Sequence, residues 1–595
     1  MKKSARSRPE RRLAGTVLAL AAAGATVLVF AEPHADRNMQ GVRAETGIMI
    51  EMRDGVLLST DLYFPEGAEG KLPVILWRSI YDRKGALDRE PGMRELVQHG
   101  YVAAIQDTRG RGESEGEFVP SVGDRNDGYD TVAWLTRQPW SNGKLGSAGC
   151  SSLGESQLLL AATRHPNHVT AIPQAAASAY NVRGRPWASF DGGAFELAQT
   201  AGWFSVDGRG VDYRTLPIID VLKKAGRPPS HYERFAASTP EGPYFMNLEW
   251  LRPGDRLDIP ALFFDSWYDY GPAETLELFN RLRQESIGAT ARNNQFVIVA
   301  PGTHCGYSNA SEHTLVGERD LGDARIDVMG LKLRWYDYWL KGVDNGVTDM
   351  PKVQYYLMGA NRWRSADAWP VPGTRYVKLF LSSRGRANGL QGDGRLAFAP
   401  PANARRDTFV YDPANPVPSL GGQACCTGTD TEAGAYDQRR IEQREDVLVY
   451  TSAALEEGLE VTGALQVVLQ VSSSASDTDF TAKLVDVYPD GRAFNVQEGA
   501  MRMRYRDGFD RNLRMREGEI YEVRLDLHVT SNWFGPGHRI RLDVSSSNFP
   551  RWDRNLNTGG NNYDESQFVT ARNTVHHSPE RPSYLVLPVV DGGVQ

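Results

Sequence analysis

Residues 145–165 read LGSAGCSSLGESQLLLAATRH, a stretch that predicts a strand, a sharp turn and a helix in succession. The short apolar run Leu145–Ala148 leads into the turn, and Glu155–His165 contains neither proline nor glycine, which favours a helix. Ser151 stands at the apex of the turn. A serine hydroxyl is a poor nucleophile unless the backbone lifts it clear and a base lies beside it. Amide N–H groups at the following helix N-terminus could stabilise an oxyanion, so the stretch predicts Ser151 as a nucleophile.

The composition is that of an ordinary globular protein. The 595 residues are 41% hydrophobic and 24% charged, with a formal net charge of -7 at pH 7. This length predicts roughly two to four domains. The negative charge and the lack of a basic stripe argue against nucleic acid as a partner. The Cys and His spacing matches no zinc site, so we expect neither a metal nor a cofactor. The oligomeric state stays open.

The N-terminus carries the pattern of a signal peptide, which we place at residues 1–31. Basic residues precede the uncharged apolar run Leu13–Phe30, and Val29 and Ala31 offer small side chains before a cleavage point. We therefore expect a mature protein exported to a periplasm, the cell surface or the medium. Because the apolar run is long for a signal peptide, an uncleaved N-terminal anchor stays an alternative. We expect no other contact with a membrane.

The rest of the chain divides into an α/β part and an all-β part. Strands alternate with helices over residues 45–178 and again over 251–350, which predicts a mostly parallel sheet covered by helices. Between them, residues 179–250 scatter aromatics, glycine and proline through short helical pieces, and we interpret them as an inserted helical cap. Residues 351–595 contain short alternating strands, which predict a sandwich or jelly roll.

Two further residues complete a Ser, Asp, His order along the chain. Asp269 and His304 each follow a strand-like apolar run, and open α/β sheets place their sites at the carboxyl ends of strands. We predict that Ser151 attacks an acyl carbon and that His304 takes its proton and returns it to the leaving group. Asp269 would fix the imidazole tautomer and stabilise the imidazolium. Asp265, at the strand end, is the alternative acid.

A second serine matches the usual nucleophile motif more closely than Ser151 does. Residues 112–116 read GESEG and fit G-x-S-x-G letter for letter, whereas Leu153 replaces the second glycine after Ser151. Ser114, however, follows a loop rather than a strand and precedes no helix. Its flanking glutamates would oppose a developing negative charge. We therefore predict that Ser114 is not the nucleophile.

Four cysteines are few for an exported protein of this size. Cys150 and Cys305 flank two predicted catalytic residues, which would place them near each other. Cys425 and Cys426 are adjacent and could form a vicinal disulfide or stay free. We expect small buried thiols at all four positions. The loop with Cys425 and Cys426 could also reach the site from the β domain.

Aromatic side chains crowd the predicted cap and the segment beside Asp269. They could form the wall of a pocket for an apolar acyl group, with ordinary core packing as the alternative. The side chains that we expect at this pocket are Trp187, Phe190, Trp203, Trp267 and Tyr270.

Further motifs accompany the Ser151 turn and span nearly the whole mature chain. They are WRSIYD at 77–82, QDTRG at 106–110, SEGEF at 114–118, WYD at 267–269, SNFP at 547–550 and DRN at 553–555. On these motifs the chain resembles the cocaine esterase-like (CocE/NonD) hydrolases. This family is related to the X-Pro dipeptidyl-peptidases of the S15 type and to the α-amino acid ester hydrolases. The resemblance implies an α/β-hydrolase domain with an inserted helical cap, followed by a C-terminal jelly roll.

The resemblance also implies an oxyanion hole. Its donors would be the backbone N–H of Ser152 and the hydroxyl of Tyr81. Two departures from the family pattern bear on specificity. Ser152 replaces the usual tyrosine after the nucleophile, and Tyr270, Gly271 and Pro272 occupy positions where α-amino acid ester hydrolases carry carboxylates for the substrate ammonium.

The resulting hypothesis is a serine hydrolase that cleaves a small-molecule acyl ester or amide through an acyl-enzyme. An X-Pro dipeptidyl-peptidase is the alternative within the same class, and a carboxylate reaching the pocket from the cap would favour it. A non-catalytic binding protein is the alternative outside that class.

Overall fold

The computed structural model describes residues 41–120, 123–180, 185–205, 208–427 and 431–590. The predicted signal peptide lies outside these residues, as does the side chain of Trp187, of which only the backbone is described. No helix within the described ranges is both long and apolar enough to cross a membrane.

The first part of the chain is built on a ten-stranded sheet with the order β1-β2-β4-β3-β5-β6-β9-β10-β13-β14. The neighbours from β4 to β13 in this order pair in parallel, and the antiparallel pairs are confined to the two edges. The central strands are buried along most of their length, because helices cover the parallel region on both faces. The strands of this part are β1 (Val42–Glu51), β2 (Leu57–Pro65), β3 (Leu72–Ser79), β4 (Val102–Asp107), β5 (Ser141–Cys150), β6 (His168–Gln174), β7 (Phe190–Asp191), β8 (Ala194–Phe195), β9 (Ala261–Tyr268), β10 (Gln295–Thr303), β11 (Leu315–Val316), β12 (Arg319–Asp320), β13 (Val353–Leu357) and β14 (Arg362–Ala366).

The helices fall into a group that packs on the sheet and a group that forms the cap. Those of the cap are short, and they enclose an aromatic core of their own. The helices are α1 (Ala86–Arg89), α2 (Met93–Gln98), α3 (Asp124–Arg137), α4 (Ser152–Ala162), α5 (Leu197–Ser205), α6 (Val221–Lys224), α7 (Tyr232–Ala236), α8 (Pro243–Met246), α9 (Pro272–Glu285), α10 (Ala289–Asn293) and α11 (Val328–Tyr336), of which α5 to α8 belong to the cap.

The C-terminal part is all β, as the alternating pattern predicts. Its eleven strands form a sheet of order β17-β24-β19-β25-β15-β16-β18-β23-β20-β21, with β22 paired to β19. A separate apolar core fills its interior. The strands are β15 (Thr374–Ser382), β16 (Gly394–Ala397), β17 (Arg405–Tyr411), β18 (Leu448–Ser452), β19 (Leu459–Ser473), β20 (Asp479–Val487), β21 (Ala493–Arg502), β22 (Tyr521–Phe534), β23 (Arg539–Ser545), β24 (Ala571–His577) and β25 (Tyr584–Val590). The architecture is an α/β-hydrolase domain with an inserted cap, followed by a jelly-roll domain.

The junction of the two parts lies later in the chain than the alternation of helices and strands suggests. β13 and β14 extend the first sheet past residue 350, up to Ala366. Period-two alternation is the same in an antiparallel edge strand and in a jelly-roll strand, so pattern alone assigns these residues to the β part.

The C-terminal domain holds the cap in place through the motif near residue 550. Asp553 Oδ1 accepts a hydrogen bond from the backbone N–H of Phe195, at 2.8 Å, and also binds Arg502. Trp552 Nε1 donates to Glu196 Oε1 at 2.9 Å. These contacts fix the cap segment at residues 195–196 against the β domain.

Candidate active site

Ser151 occupies a strained turn between β5 and α4. Its backbone angles are φ 63° and ψ -132°, a conformation that costs a non-glycine residue free energy. Two glycines make the turn sterically possible. A Cβ on Gly149, which has φ 131°, would lie 2.4 Å from Cβ of Leu153. A Cβ on Gly154 would lie 2.6 Å from the carbonyl oxygen of Gln174. The Ser151 N–H donates to that same carbonyl at 2.9 Å. The turn therefore holds the serine clear of the strand at the N-terminus of α4.

His304 and Asp269 are in direct contact. Nδ1 of His304 lies 2.9 Å from Oδ1 and 2.8 Å from Oδ2 of Asp269. A carboxylate can only accept, so Nδ1 carries the proton and the other ring nitrogen is the basic one in the neutral ring. Nε2 is buried and has no hydrogen-bond partner among the described residues. His304 lines the cavity that Ser151 also lines.

The protonation of His304 is controlled by two opposing effects. Burial disfavours the charged ring and would lower its pKa, but the charge of Asp269 and its hydrogen bond outweigh burial and raise the pKa to about 9. The negative charge of a Cys426 thiolate acts in the same direction. The protonated ring of His304 is thus stabilised.

Asp265, the alternative acid, does not contact the histidine. Its carboxylate accepts hydrogen bonds from the hydroxyl of Thr275 and from the backbone N–H of Ser266. Burial and the nearby charge of Asp269 raise the pKa of Asp265 well above its usual value. Of the two acids, the geometry brings only Asp269 to His304.

The hydroxyl of Tyr81 lies beside Ser151. The Tyr81 residue as a whole is 47% exposed, but its hydroxyl end is enclosed, and this burial raises its pKa to about 12. The charge of Cys426 adds to the rise, while hydrogen bonds with Ser152 and Ser151 partly offset it. Tyr81 is therefore protonated at neutral pH and can donate. The hydroxyl of Tyr81 and the first residue of α4, Ser152, thus both adjoin Ser151.

A buried guanidinium fixes the segment that carries Tyr81. Arg83 is 2% exposed, and its backbone N–H donates to Asp107 Oδ1 at 2.7 Å. Its side chain binds Asp107 Oδ2 at 2.7 Å, Asp61 Oδ1 at 2.8 Å and Glu113 Oε2 at 2.6 Å. These bonds immobilise the chain two residues after Tyr81 and give motifs 77–82 and 106–110 a shared role in positioning it.

Ser114 belongs to the same supporting structure and not to the site. Its hydroxyl donates to the backbone carbonyl of Asp107 at 2.7 Å and accepts from the N–H of Ser59 at 2.9 Å. Both bonds join the loop to neighbouring strands. The GESEG loop therefore has a structural role, although its sequence fits G-x-S-x-G.

A disulfide ties the Ser151 turn to the loop that carries His304. Cys150 and Cys305 are bonded, with their Cα atoms 6.1 Å apart, so the expectation of small buried thiols is wrong for this pair. Spacing cannot reveal such a bond, because 155 residues separate the two positions in the chain. Cys425 and Cys426 are free thiols with their Sγ atoms 2.8 Å apart. Cys425 is buried as expected, whereas Cys426 is exposed, so the expectation of a buried thiol is wrong for Cys426 as well.

Comparison with known proteins places this geometry in a family. A family model described as X-Pro dipeptidyl-peptidase (S15 family) matches residues 54–306. A second, described as the X-Pro dipeptidyl-peptidase C-terminal non-catalytic domain, matches residues 345–586. Cocaine esterase from Rhodococcus sp. (strain MB1 Bresler) is 37% identical over 581 residues, which cover 92% of this chain and 98% of that protein. The chain belongs to the cocaine esterase-like (CocE/NonD) hydrolases.

Solved structures agree with that membership. An α-amino acid ester hydrolase superposes on this CocE/NonD serine hydrolase with a TM-score of 0.78 and 26% identity, covering 95% of this chain and 99% of the other. An aminopeptidase from a marine sediment archaeon, Thaumarchaeota archaeon, has a TM-score of 0.80 at 24% identity with the same coverage, and shares the fold.

Two cavities of this CocE/NonD hydrolase meet at Ser151. The larger, of about 280 Å³, is lined by Tyr81, His304 and the Cys150–Cys305 disulfide. The smaller, of about 30 Å³, lies between α4, the cap and the β domain. Cys426 lines both cavities. The loop with Cys425 and Cys426 thus reaches the site from the β domain.

The structure separates the expected pocket aromatics into two groups. Trp203 and Tyr270 line the smaller cavity, and the Tyr270 ring lies 5.4 Å from that of His304. Phe190 instead packs on Phe195 and Phe245 inside the cap. Trp267 is 1% exposed in the core and donates from Nε1 to the carbonyl of Tyr356. Phe190 and Trp267 therefore follow the core-packing alternative, which composition cannot distinguish from a pocket wall.

Several polar residues at the site escape sequence reasoning. Glu155, one turn after Ser151 on α4, lines the smaller cavity with Ser178 and Gln199. Lys332 and Glu90 line the larger one. The signal for Glu155 is available in the sequence, since helical spacing places the fourth residue after the nucleophile at the same helix end. Lys332 gives no such signal, because only the fold brings α11 beside β5.

Proposed function

We propose that this chain is an exported serine hydrolase that cleaves a small acyl ester or amide through an acyl-enzyme on Ser151. The observation that carries the proposal is the His304–Asp269 pair: Nε2 of His304 has no hydrogen-bond partner among the described residues, and His304 lines the same cavity as the strained Ser151 turn. A nucleophile, a base and an orienting acid are the parts that acyl transfer needs.

The proposed reaction begins with proton transfer. Nε2 of His304 takes the hydroxyl proton as Ser151 Oγ attacks the acyl carbon, and the resulting oxyanion accepts hydrogen bonds from Ser152 N–H and Tyr81. The imidazolium then gives its proton to the leaving alcohol or amine, which leaves the acyl-enzyme. Water, deprotonated by His304, releases the acid and restores Ser151.

Similarity to cocaine esterase supports an ester as the preferred substrate. The narrow cavity beside Ser152 and Tyr270 supports a small acyl group. Export is supported by the basic and apolar pattern of the N-terminus and by the Cys150–Cys305 disulfide, since such bonds persist in oxidising compartments. N-terminal sequencing of the mature protein would test the cleavage point after Ala31.

A fluorophosphonate probe tests the nucleophile directly. We expect the folded protein to be labelled on Ser151, and the Ser151→Ala variant to lose labelling and esterase activity together. Ser114→Ala is the matched control and should retain both. Labelling at another residue would contradict the assignment of Ser151. No labelling of the folded protein would contradict the proposed mechanism and favour a non-catalytic binding protein.

The X-Pro dipeptidyl-peptidase alternative requires recognition of a substrate N-terminus. No Asp or Glu from the described part of the cap lines either cavity at Ser151. Glu155 does line one, but from α4. A panel of acyl esters, β-lactam side-chain amides and Xaa-Pro-nitroanilides separates the two functions, and faster turnover of the Xaa-Pro substrates would favour the peptidase.

A further inference from the structure

The larger cavity contains a buried lysine that the reaction above does not use. Lys332, on α11, is 6% exposed and lines the cavity together with Ser151 and His304. Its ammonium makes no hydrogen bond and no ion pair within 4.0 Å to any residue in the described part of the chain. Buried charges in proteins are normally paired. The ammonium of Lys332 must therefore be stabilised by molecules that occupy the cavity.

The acidic neighbours of Lys332 do not neutralise it by contact. Glu90 lines the same cavity, but it already forms an ion pair with Arg89, in which Oε1 of Glu90 lies 3.5 Å from Nε of Arg89. Burial lowers the pKa of Lys332 to about 8, and the more distant charges of Glu90 and Glu95 partly offset that effect. At pH 7, Lys332 is therefore protonated in most molecules.

Lys332 lies on the side of the site that receives the leaving group. His304 lines the larger cavity and not the smaller one. The imidazolium must deliver its proton to the departing atom, so the leaving group lies against His304. The acyl group then takes the other direction, toward Ser152 and Tyr270.

We propose that Lys332 binds a carboxylate on the leaving group, so that the preferred substrates are acyl esters or amides of small hydroxy or amino acids. This inference rests on the proposed function, because it takes Ser151 as the nucleophile. A carboxylate would give the ammonium the charge-assisted hydrogen bond that the protein does not supply. The volume of about 280 Å³ lies at the lower end of ligand pockets and restricts the leaving group to a small one.

A matched pair of substrates tests this subsite. 4-Acetoxybenzoate and its methyl ester release leaving groups that differ in the carboxylate charge. The readout is the ratio of their kcat/KM values, in which the intrinsic reactivities cancel between variants. Lys332→Met should lower the anionic-to-neutral ratio roughly 10- to 100-fold, and Lys332→Arg should restore most of it. Lys341→Met removes an ammonium bound to the carbonyl of His99 instead and should leave the ratio unchanged.

A binding measurement separates failure of the subsite from failure of the catalytic proposal. Calorimetry with 4-hydroxybenzoate and its methyl ester on Ser151→Ala, with and without Lys332→Met, needs no turnover. We expect the added substitution to weaken the carboxylate ligand at least about tenfold more than the ester. Equal weakening of both, or an unchanged kcat/KM ratio, would overturn the assignment of Lys332. If the wild type hydrolyses neither ester but binds the carboxylate through Lys332, the proposed esterase function fails and the subsite stands.

Discussion

Removing the Cys150–Cys305 disulfide should loosen the histidine loop and slow catalysis. β5 and β10 are three strand spacings apart in the sheet, which corresponds to roughly 14 Å, yet the two Cα atoms are 6.1 Å apart. The chain after β10 must therefore fold back across the carboxyl edge of the sheet to reach the nucleophile turn. The double variant Cys150→Ala/Cys305→Ala removes the bond that holds it there and leaves no unpaired thiol to exchange with Cys425 or Cys426.

The size of the effect follows from the loop that the bond closes. For 155 residues, the chain-entropy relation gives a stabilisation of roughly 5 kcal/mol, and native disulfides contribute about 2–5 kcal/mol. Catalysis should suffer as well, because His304 precedes Cys305 directly. A displacement of about 1 Å in a catalytic group lowers the rate on the order of 100-fold.

Hydrogen exchange resolved to peptides is the suitable assay, since a multidomain chain does not unfold in one step. In the variant, residues 141–162 and 295–309 should exchange through openings that are about 2–5 kcal/mol less costly, while the jelly roll stays unchanged. Cys425→Ala/Cys426→Ala is the matched control, because it removes two sulfurs from the same site without removing a cross-link. Unchanged protection together with an unchanged kcat would refute the reasoning.

Three further outcomes follow from the geometry. For a non-ionisable ester, kcat/KM should increase as the pH rises toward about 9, because His304 must lose its proton to act as a base and Asp269 raises the pKa of that proton. A flat profile from pH 6 to 9 would contradict this. Tyr81→Phe should lower kcat roughly 100- to 1,000-fold through loss of an oxyanion donor, whereas Tyr270→Phe, beside the His304 ring, should lower it far less; equal losses would remove the special role of Tyr81. Alkylation of the exposed thiol of Cys426 with a bulky maleimide should block turnover by filling the cavity, and Cys426→Ser should protect; inhibition that persists in that variant would place the reactive group elsewhere.

Much of the fold is predictable because its signals are local. The apolar strands and the helical segment after Ser151 indicate the α/β part, and the alternating pattern of the later strands indicates the β part. The edge strands β13 and β14 are the exception, since their pattern carries no information about which sheet they join. The order Ser, Asp, His along the chain likewise points to His304 and to an acid near the end of β9, but it leaves Asp265 and Asp269 both open, and the contact with His304 decides between them.

The environment of the site is less predictable, because it depends on contacts between distant segments. Cys150 and Cys305 become partners only when the loop after β10 folds back. Lys332 enters the cavity from a helix that sequence periodicity describes simply as amphipathic. Phe190 and Trp203 are aromatics of one cap, yet one packs in its core and the other lines the site. Their difference is set by which face of the cap meets the β domain.

The structure also explains why the nucleophile turn departs from the usual letter pattern. A glycine is needed where a Cβ would strike a neighbouring element, and here those positions are Gly149 and Gly154. Position 153 meets no such obstacle: Leu153 is 2% exposed and packs into the core beneath the sheet edge. In the GESEG loop, a Cβ on Gly112 would instead lie 2.0 Å from the Asp107 carboxylate that binds Arg83. Gly112 therefore serves the ion network behind Tyr81, whereas a Cβ on Gly116 would lie 2.7 Å from Cγ of Arg109. Each glycine pattern reports close approaches, so the letter pattern alone does not distinguish the Ser151 turn from the Ser114 loop.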